Sequence, residues 1–304
     1  MYDNFYLVIS SILIFFTIFL IAALSGLISE RAGVVNIGID GFMTIGALVF
    51  SLVGKGFNAN GTQFFAIIIA MIVAAAFAML HAFASITLKA NQIISGTAIN
   101  LVAQGIGLYI VSTSSIGVMG RISSGYTIMG WGQEKFFTIY FLIAIIATFV
   151  AGIYFTFTTV GKRHIAAGEN PSLLDVAGIN VNKYRYIAIL VSGSLAGLAG
   201  CFFVMLYSSA SFNGTVNGYG YLGLTILVVG QWRIRYVVLF SFIFSTFFAL
   251  ARILPSSNIS EFFTLNKSLL QAFPFLFSLI TMVIFSKKSS PPKANGIPFQ
   301  KTTR

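Results

Sequence analysis

Charged residues and cysteine are scarce in this sequence. Only 8% of its 304 residues are charged, whereas soluble domains contain about 25%. The single cysteine, Cys201, excludes an internal disulfide and any cysteine-based metal site. No GxxxxGK(S/T) phosphate loop is present, so the chain cannot hydrolyse ATP by that route. Because no metal-ligating set and no nucleophile–base pair stands out either, the sequence does not predict an enzyme.

Apolar residues dominate the composition instead. The chain is 57% hydrophobic and 15% aromatic, with a mean hydropathy of +0.93. Its long apolar runs do not alternate with polar residues as the strands of a membrane barrel do, so they predict helices. The net charge of +11 does not indicate nucleic-acid binding, because the basic residues lie in short loops rather than on one soluble face. The sequence predicts an all-α, polytopic membrane protein.

Nine runs approach the roughly 20 apolar residues that a membrane-spanning helix requires. They cover residues 5–28, 32–53, 62–88, 92–112, 136–159, 184–208, 219–231, 236–254 and 268–286. The seventh run is short and rich in glycine, which indicates a broken or re-entrant helix. We therefore assign residues 1–286 to a transmembrane domain and residues 287–304 to a basic cytoplasmic tail.

The distribution of basic residues predicts the orientation of these spans. If the connection at 160–183 is cytoplasmic, 13 of the 18 Lys and Arg residues fall inside. The five that fall outside are Lys55, Arg121, Lys135, Arg252 and Lys267. Since short cytoplasmic loops carry an excess of basic residues, we expect the N-terminus outside and the C-terminus inside.

The connection at 160–183 contains a short helix with clear boundary signals. Asn170 can cap the helix by accepting from a free backbone N–H, Pro171 suits its first position, and Gly178 suits the left-handed residue that ends it. About seven residues span roughly 10 Å and are too few to be stable alone. Leu173 and Leu174 must therefore be buried against the membrane surface or a partner protein, unless the segment is only an interfacial turn.

The span that follows this helix is suited to close packing. Gly193 and Gly197 are spaced i,i+4, and Ala196 and Gly200 repeat that spacing. Small residues at this spacing let helix backbones approach closely in lipid. A motion of the short helix would consequently be transmitted into the bundle rather than absorbed.

Several stretches of the sequence resemble one family of membrane proteins. They are AAGENPSLLDVAGINV followed by SGSLAGLAG, SERAGVVNIGIDGFMTIGA, NQIISGTAINL, NGYGYLGLTILVVGQWR and PPKANGIPFQ. Collinear over nearly the whole chain, they are similar to membrane permeases of ABC importers in the branched-chain amino acid and simple-sugar group, and most similar to nucleoside-type permeases. Two departures stand out: Leu173-Leu174 replace the family's usual Ala-Ala, and Ile234-Arg235 stand where a proline is frequent.

The resemblance implies an importer subunit that works with partners. Its short helix would dock into a groove on an ATP-binding subunit through the coupling residues Glu169, Asn170, Pro171, Leu173, Leu174, Asp175 and Gly178. ATP would be bound by that subunit, and this chain would bind no cofactor or metal. A second permease, either a paralogue or a second copy, and an extracytoplasmic substrate-binding protein would complete the system in the lipid of the cell membrane.

Polar side chains inside the spans are candidates for the substrate path. Asn36 and Asp40 lie one helical turn apart, and a mid-membrane carboxylate costs about 2.5–3.5 kcal/mol on insertion scales. Asp40 should therefore face protein or a water-filled cavity, unless it lies near the inner interface and caps or anchors a helix. Asn100 and Gln104 are also spaced i,i+4, and their amides could bind a ribose or base edge or join two helices. His81, alone in its span, indicates packing.

The solute that the sequence predicts is small and polar. The resemblance favours nucleosides, followed by simple sugars and then branched-chain amino acids. The alternative from another class is an ion- or proton-coupled secondary carrier with Asp40 as its coupling carboxylate. Such a carrier would transport alone in liposomes, whereas a permease subunit needs its ATPase.

Overall fold

The computed structural model describes residues 2–57, 61–113, 126–131, 137–208, 211–254, 267–286 and 289–300. Most of these residues are helical, because a backbone in lipid must satisfy its hydrogen bonds internally. The helices are α1 (Tyr2–Arg31), α2 (Ile39–Gly56), α3 (Thr62–Ala82), α4 (Gln92–Thr113), α5 (Ile139–Phe157), α6 (Thr159–Glu169), α7 (Pro171–Val176), α8 (Val181–Phe202), α9 (Tyr219–Val229), α10 (Ile234–Ile253) and α11 (Lys267–Ser286). Five-residue π-helical turns extend α3 over Phe83–Thr87 and α8 over Phe203–Tyr207. Two short antiparallel strands, β1 (Gly130–Trp131) and β2 (Phe137–Thr138), precede α5.

The prediction of an all-α membrane protein is confirmed. Among the described residues, seven helices are long and apolar enough to cross a membrane, namely α1 to α5, α8 and α10. The other two predicted spans coincide with shorter apolar helices, the 11-residue α9 and residues Ala272–Phe285 of α11. The number of spans and their orientation stay predictions, and Arg121 and Lys135 lie outside the described residues.

The structure differs from the sequence prediction at the start of α2 and in the connection that follows α5. The sequence starts the second span at residue 32, but residues 32–38 are not helical and α2 begins at Ile39. Gly33 has a φ of +88°, a conformation that a continuing right-handed helix cannot contain. In addition, α6 forms where the sequence predicts a loop; its N-cap is Thr158, whose Oγ1 accepts from the Gly161 N–H at 2.9 Å.

Helix α8 lies at the centre of the described bundle and packs closely on both sides. A Cβ on Gly193 would lie 2.4 Å from the Ala78 Cβ of α3, and Gly197 meets α3 in the same way. A Cβ on Gly200 would lie 2.0 Å from the Met43 carbonyl oxygen of α2. At all three glycines, a larger side chain would force α8 away from a neighbouring helix.

Candidate functional site

Residues 32–38 form a buried segment without regular structure between α1 and α2. Irregular backbone at membrane depth is tolerated only where other protein groups satisfy its N–H and C=O groups. Gln92 accepts from the Val35 N–H at 2.7 Å, and His81 Nε2 lies 3.1 Å from the Val35 carbonyl oxygen. Because a carbonyl only accepts, Nε2 carries the proton, and Nδ1 accepts from the Ser95 hydroxyl at 3.0 Å. His81 is therefore a hydrogen-bonding anchor of this segment as well as a packing residue.

Helix α2 is capped by a side chain from α4. The first N–H groups of a helix have no partner within it, and the N-cap residue Gly38 has no side chain to offer. Asn100 Oδ1 accepts from the Gly41 N–H at 2.8 Å, while its Nδ2 donates to the Ile37 carbonyl at 2.8 Å and to the Tyr221 hydroxyl at 2.7 Å. Both ends of the Asn100 amide are thus bound to protein.

Helix α9 repeats this arrangement with Asp40 as the cap. Its N-cap, Gly218, has a left-handed φ of 81° and no side chain. Asp40 Oδ1 accepts from the Gly220 N–H at 3.0 Å, and Gln104 Nε2 donates to Oδ2 at 3.4 Å. A carboxylate is favoured at a helix N-terminus because the aligned peptide dipoles give that end a partial positive charge. Asp40 therefore faces protein and caps a helix.

The contact between Asp40 and α9 lies away from the Arg31 end of α1. One turn beyond Gly220, a Cβ on Gly223 would lie 2.6 Å from the Ala22 Cβ of α1. Ala22 precedes the end of α1 at Arg31 by about 14 Å at 1.5 Å per residue. The Asp40 carboxyl, bound to Gly220, consequently lies beside the length of α1 and away from its end at Arg31.

The four residues predicted for the substrate path differ in exposure. Buried are Asn36, Asp40 and Asn100. Asn36 Nδ2 donates to the Ser192 hydroxyl at 2.7 Å, which joins the irregular segment to α8. Gln104 is half-buried and bonds Asp40, while Tyr221 is 40% exposed and bonds Asn100. Gln104 and Tyr221 therefore reach the surface from this hydrogen-bonded group of α2, α4 and α9.

Helix α7 has the boundary residues that the sequence predicts. Asn170 Oδ1 accepts from the Leu173 N–H at 3.2 Å, and Pro171 occupies the first turn. Gly178 follows the helix with a φ of +78°. The helix covers six residues rather than about seven, Pro171–Val176.

The two leucines of α7 occupy different environments. Leu174 is 6% exposed and packs against Ala167 and Val181 in a small apolar cluster, whereas Leu173 is 66% exposed. Val176 is 63% exposed as well. The expectation that both leucines are available to a partner is therefore wrong for Leu174, which fills a cluster of its own chain. Leu173 and Val176 form the exposed apolar surface of α7.

Helix α6 attaches this surface to the bundle. His164 Nε2 donates to the Ile28 carbonyl of α1 at 2.8 Å, and Nδ1 accepts from the Tyr154 hydroxyl at 3.3 Å. Burial lowers the pKa of His164 to about 4, so the imidazole is neutral at physiological pH. Two predicted coupling residues are acidic: Glu169 is exposed at the end of α6, and Asp175 is partly exposed in α7.

Both regions offer hydrogen bonding and apolar contact rather than covalent chemistry. Within the ranges that the structure describes, no group of three or more His, Cys, Asp or Glu side chains could hold a metal ion. Asp40 faces a backbone N–H and an amide, and α7 exposes aliphatic side chains. Groups of this kind suit the binding of other molecules and the movement of helices against one another.

Comparison with known proteins identifies the family. The family described as "Branched-chain amino acid transport system / permease component" matches residues 8–285. The chain belongs to this permease family. The permease is therefore a multi-pass protein of the plasma membrane and not an enzyme. As part of an ABC system it works with an ATPase and a substrate-binding protein, which decides against the ion-coupled carrier.

Curated relatives cover the permease along most of its length. The nucleoside ABC transporter permease protein NupC of Lactococcus lactis subsp. cremoris is 31% identical, over 97% of each chain. The guanosine ABC transporter permease protein NupQ of Bacillus subtilis is 30% identical, over 98% of each chain. The putative glucose ABC transporter permease protein TsgC13 of Haloferax volcanii is 32% identical, over 77% of this chain and 73% of its own. No solved structure matches the permease significantly.

Sequence patterns miss several residues that the structure places beside the buried segment of the permease. Gln92 accepts from Val35 of the segment, and Tyr221 accepts from Asn100, which bonds Ile37. Each lies near the start of an apolar helix, where a polar residue needs no special explanation. Arg185, counted as a cytoplasmic charge, is 1% exposed. Its position inside the first turns of α8 is the one signal that could have indicated burial.

Proposed function

We propose that this permease carries nucleosides into the cell as a membrane subunit of an ABC importer. The observation that carries this proposal is the near full-length similarity to relatives named for nucleoside and guanosine transport. The chemistry of Gln104 and Tyr221 supports it, because an amide and a phenol each offer a donor and an acceptor. Those groups match the hydroxyl and base edges of a neutral nucleoside, which needs no counter-charge.

The proposed solute path follows α4 and α9, where Gln104 and Tyr221 extend to the surface. Behind them, the predicted path residues Asn36, Asp40 and Asn100 hold the irregular segment and the two helix N-termini in place. A polar side chain that faced only hydrocarbon would lack partners. We therefore place a second permease, a paralogue or another copy, opposite this face, so that the solute passes between the two subunits and lipid surrounds the pair.

The energy source in this proposal is a separate subunit that binds ATP, and the permease itself binds no cofactor. Leu173 and Val176 enter a groove of that subunit, because they are the exposed apolar side chains of α7. Leu174 anchors α7 to the bundle. The remaining coupling residues shape or flank the helix: Glu169, Asn170, Pro171, Asp175 and Gly178.

The test is uptake by the reconstituted importer. Liposomes that contain the permease, its partner permease and its ATPase should accumulate labelled guanosine when the binding protein and ATP are present. Unlabelled adenosine should compete, while glucose and leucine should not. Uptake of labelled glucose without uptake of guanosine would instead assign glucose, the solute in the name of the putative glucose permease TsgC13.

A pair of variants tests the proposed path. Gln104→Leu should raise the KM for guanosine, because leucine is similar in size to glutamine but has no hydrogen-bonding group. Val102→Leu is the matched control, since Val102 is 50% exposed on α4 and makes no polar contact through its side chain. Equal KM values for the two variants would remove Gln104 from the path.

A further inference from the structure

Residues 289–300, here called the C-terminal strap, lie across one end of the bundle without regular secondary structure. A segment with no helical or strand hydrogen bonds holds a fixed position only through contacts with other parts of the protein. The strap makes such contacts with the buried segment 32–38, with α8 and with residues 159–178, here called the coupling region, which contain α6 and α7. Through these three groups of contacts, the strap connects parts of the protein that are distant in sequence.

The first contacts join the strap to the coupling region. The Ala294 N–H donates to the Gly168 carbonyl at 2.8 Å, and the Lys293 N–H donates to Glu169 Oε2 at 3.5 Å. Further along, Phe299 packs against the apolar cluster that contains Leu174 of α7. The strap is thus bound to both sides of the α6–α7 junction.

The second contacts join the strap to the buried segment. Asn295 Nδ2 donates to Glu30 Oε2 at 3.3 Å, and Glu30 Oε1 accepts from the Asn36 N–H at 3.5 Å. The carboxyl of Glu30 therefore bridges the strap and the segment. A Cβ on Gly296 would lie 3.3 Å from Val35 Cγ2, so the strap at Gly296 lies beside the side chain of Val35.

The third contact comes from a buried arginine. Arg185 of α8 is 1% exposed, and its Nη1 donates to the Ile297 carbonyl at 2.9 Å. Its Nη2 donates to the Ala167 carbonyl of α6 at 3.5 Å. A buried guanidinium needs hydrogen-bond acceptors, and here those acceptors belong to the strap and to the coupling region. Arg185 consequently holds these two parts together against α8.

We propose that the C-terminal strap is a transmission element, which passes the movement of α7 to the buried segment 32–38 and so to the N-terminus of α2. Asn295 is the positioning residue on the side of the buried segment, and Arg185 is the positioning residue on the side of α8. The inference rests on the proposed coupling role of α7. It adds that docking of the ATPase is not sufficient for transport when the strap is disconnected from Glu30.

The variant that tests the proposal is Asn295→Ala. It removes the bond from the strap to Glu30, while the Trp232 Nε1–H still donates to the same carboxyl at 2.6 Å. In the reconstituted importer, we expect ATPase co-purification and basal ATP hydrolysis to stay at wild-type levels. Solute-stimulated ATP hydrolysis and uptake should fall about fivefold or more, the range of a typical coupling between sites. Asn295→Gln, which keeps a donating amide, should recover part of the lost uptake.

Ile297→Ala is the matched control. Its side chain is 57% exposed, while its carbonyl makes the bond to Arg185. The control should therefore transport like the wild type. Loss of ATPase co-purification in Ile297→Ala or Asn295→Ala would overturn the proposal, because the strap would then be a docking surface. Wild-type uptake by Asn295→Ala would overturn it as well, and so would a loss of uptake that only follows a lower amount of protein in the membrane.

The choice of solute separates this proposal from the proposed substrate. Uptake ratios of variant to wild type are measured with whichever of labelled guanosine, glucose or leucine the wild type transports. Absence of guanosine uptake by the wild type would contradict the nucleoside assignment and leave the ratio measurable with another solute. An uptake ratio of Asn295→Ala to wild type near one would contradict the proposed role of the strap, whichever solute is used.

Discussion

Replacing Asp40 by Asn or by Leu separates a capping role from a role that requires the charge. The Asp40 carboxyl accepts from the Gly220 N–H at 3.0 Å and from Gln104 Nε2 at 3.4 Å. An asparagine oxygen can still accept from Gly220, and the Gln104 amide can rotate to accept from the new Nδ2 group. Leucine has the same branching at Cγ but can do neither. We therefore expect transport by Asp40→Asn and strong loss in Asp40→Leu.

The magnitude follows from the two contributions that each variant removes. Both variants lose the interaction of a carboxylate with the α9 dipole, which contributes about 0.3–1 kcal/mol and up to about 2 kcal/mol in a partly buried geometry. Asp40→Leu also leaves the buried Gly220 N–H unpaired, at a further cost of about 1–3 kcal/mol. The leucine variant should accordingly unfold at a lower temperature in detergent than the asparagine variant. The difference between the two unfolding temperatures should reflect the lost hydrogen bond to the Gly220 N–H.

The assay is uptake of labelled guanosine at two external pH values by both variants and the wild type. The capping argument predicts that the wild type and Asp40→Asn show the same pH dependence. Loss of uptake in Asp40→Asn equal to that in Asp40→Leu would refute it, because the hydrogen bond would not be what matters. A steep pH dependence of the wild type that disappears in Asp40→Asn would instead assign Asp40 a proton-exchanging role.

Three further predictions concern α4, α7 and α6. Asn100→Leu should lower the free energy of unfolding by about 2–6 kcal/mol, because two buried backbone groups lose their partner at about 1–3 kcal/mol each; thermal unfolding in detergent measures this. Leu173→Asp should abolish ATPase co-purification at unchanged thermal stability, whereas Leu174→Asp should lower the stability by burying an unpaired charge. Acidification from about pH 7 to 5 should lower the free energy of unfolding by up to about 2 kcal/mol, because His164 takes up a proton below its ordinary pKa of 6.5 when unfolded but only near 4 when folded. His164→Gln should remove that part of the pH dependence.

Each of these predictions has a result that would contradict it. Wild-type stability of Asn100→Leu together with lost uptake would mean that the amide contacts the solute rather than α2. Normal ATPase co-purification with Leu173→Asp would exclude α7 as the docking helix. An unchanged slope of stability against pH in His164→Gln would assign the acid sensitivity to other groups.

The sequence by itself determined the features that depend on neighbouring residues. Apolar runs of about 20 residues predict helices because lipid offers the backbone no hydrogen bonds. The limits of α7 follow from Asn170, Pro171 and Gly178, since caps act within one helical turn. The close packing of α8 follows from the spacing of Gly193 and Gly197, because small side chains at i,i+4 lie on one face.

Only the tertiary structure decided the roles of residues whose partners are distant in sequence. Nothing near Asp40 indicates that it caps α9, because Gly220 follows it by 180 positions. Leu173 and Leu174 are chemically identical neighbours, yet one is exposed and the other is buried against Val181. Hydrogen bonds and apolar burial act over a few ångströms in space regardless of chain separation, so the packing of the helices, and not the local sequence, determines which groups meet.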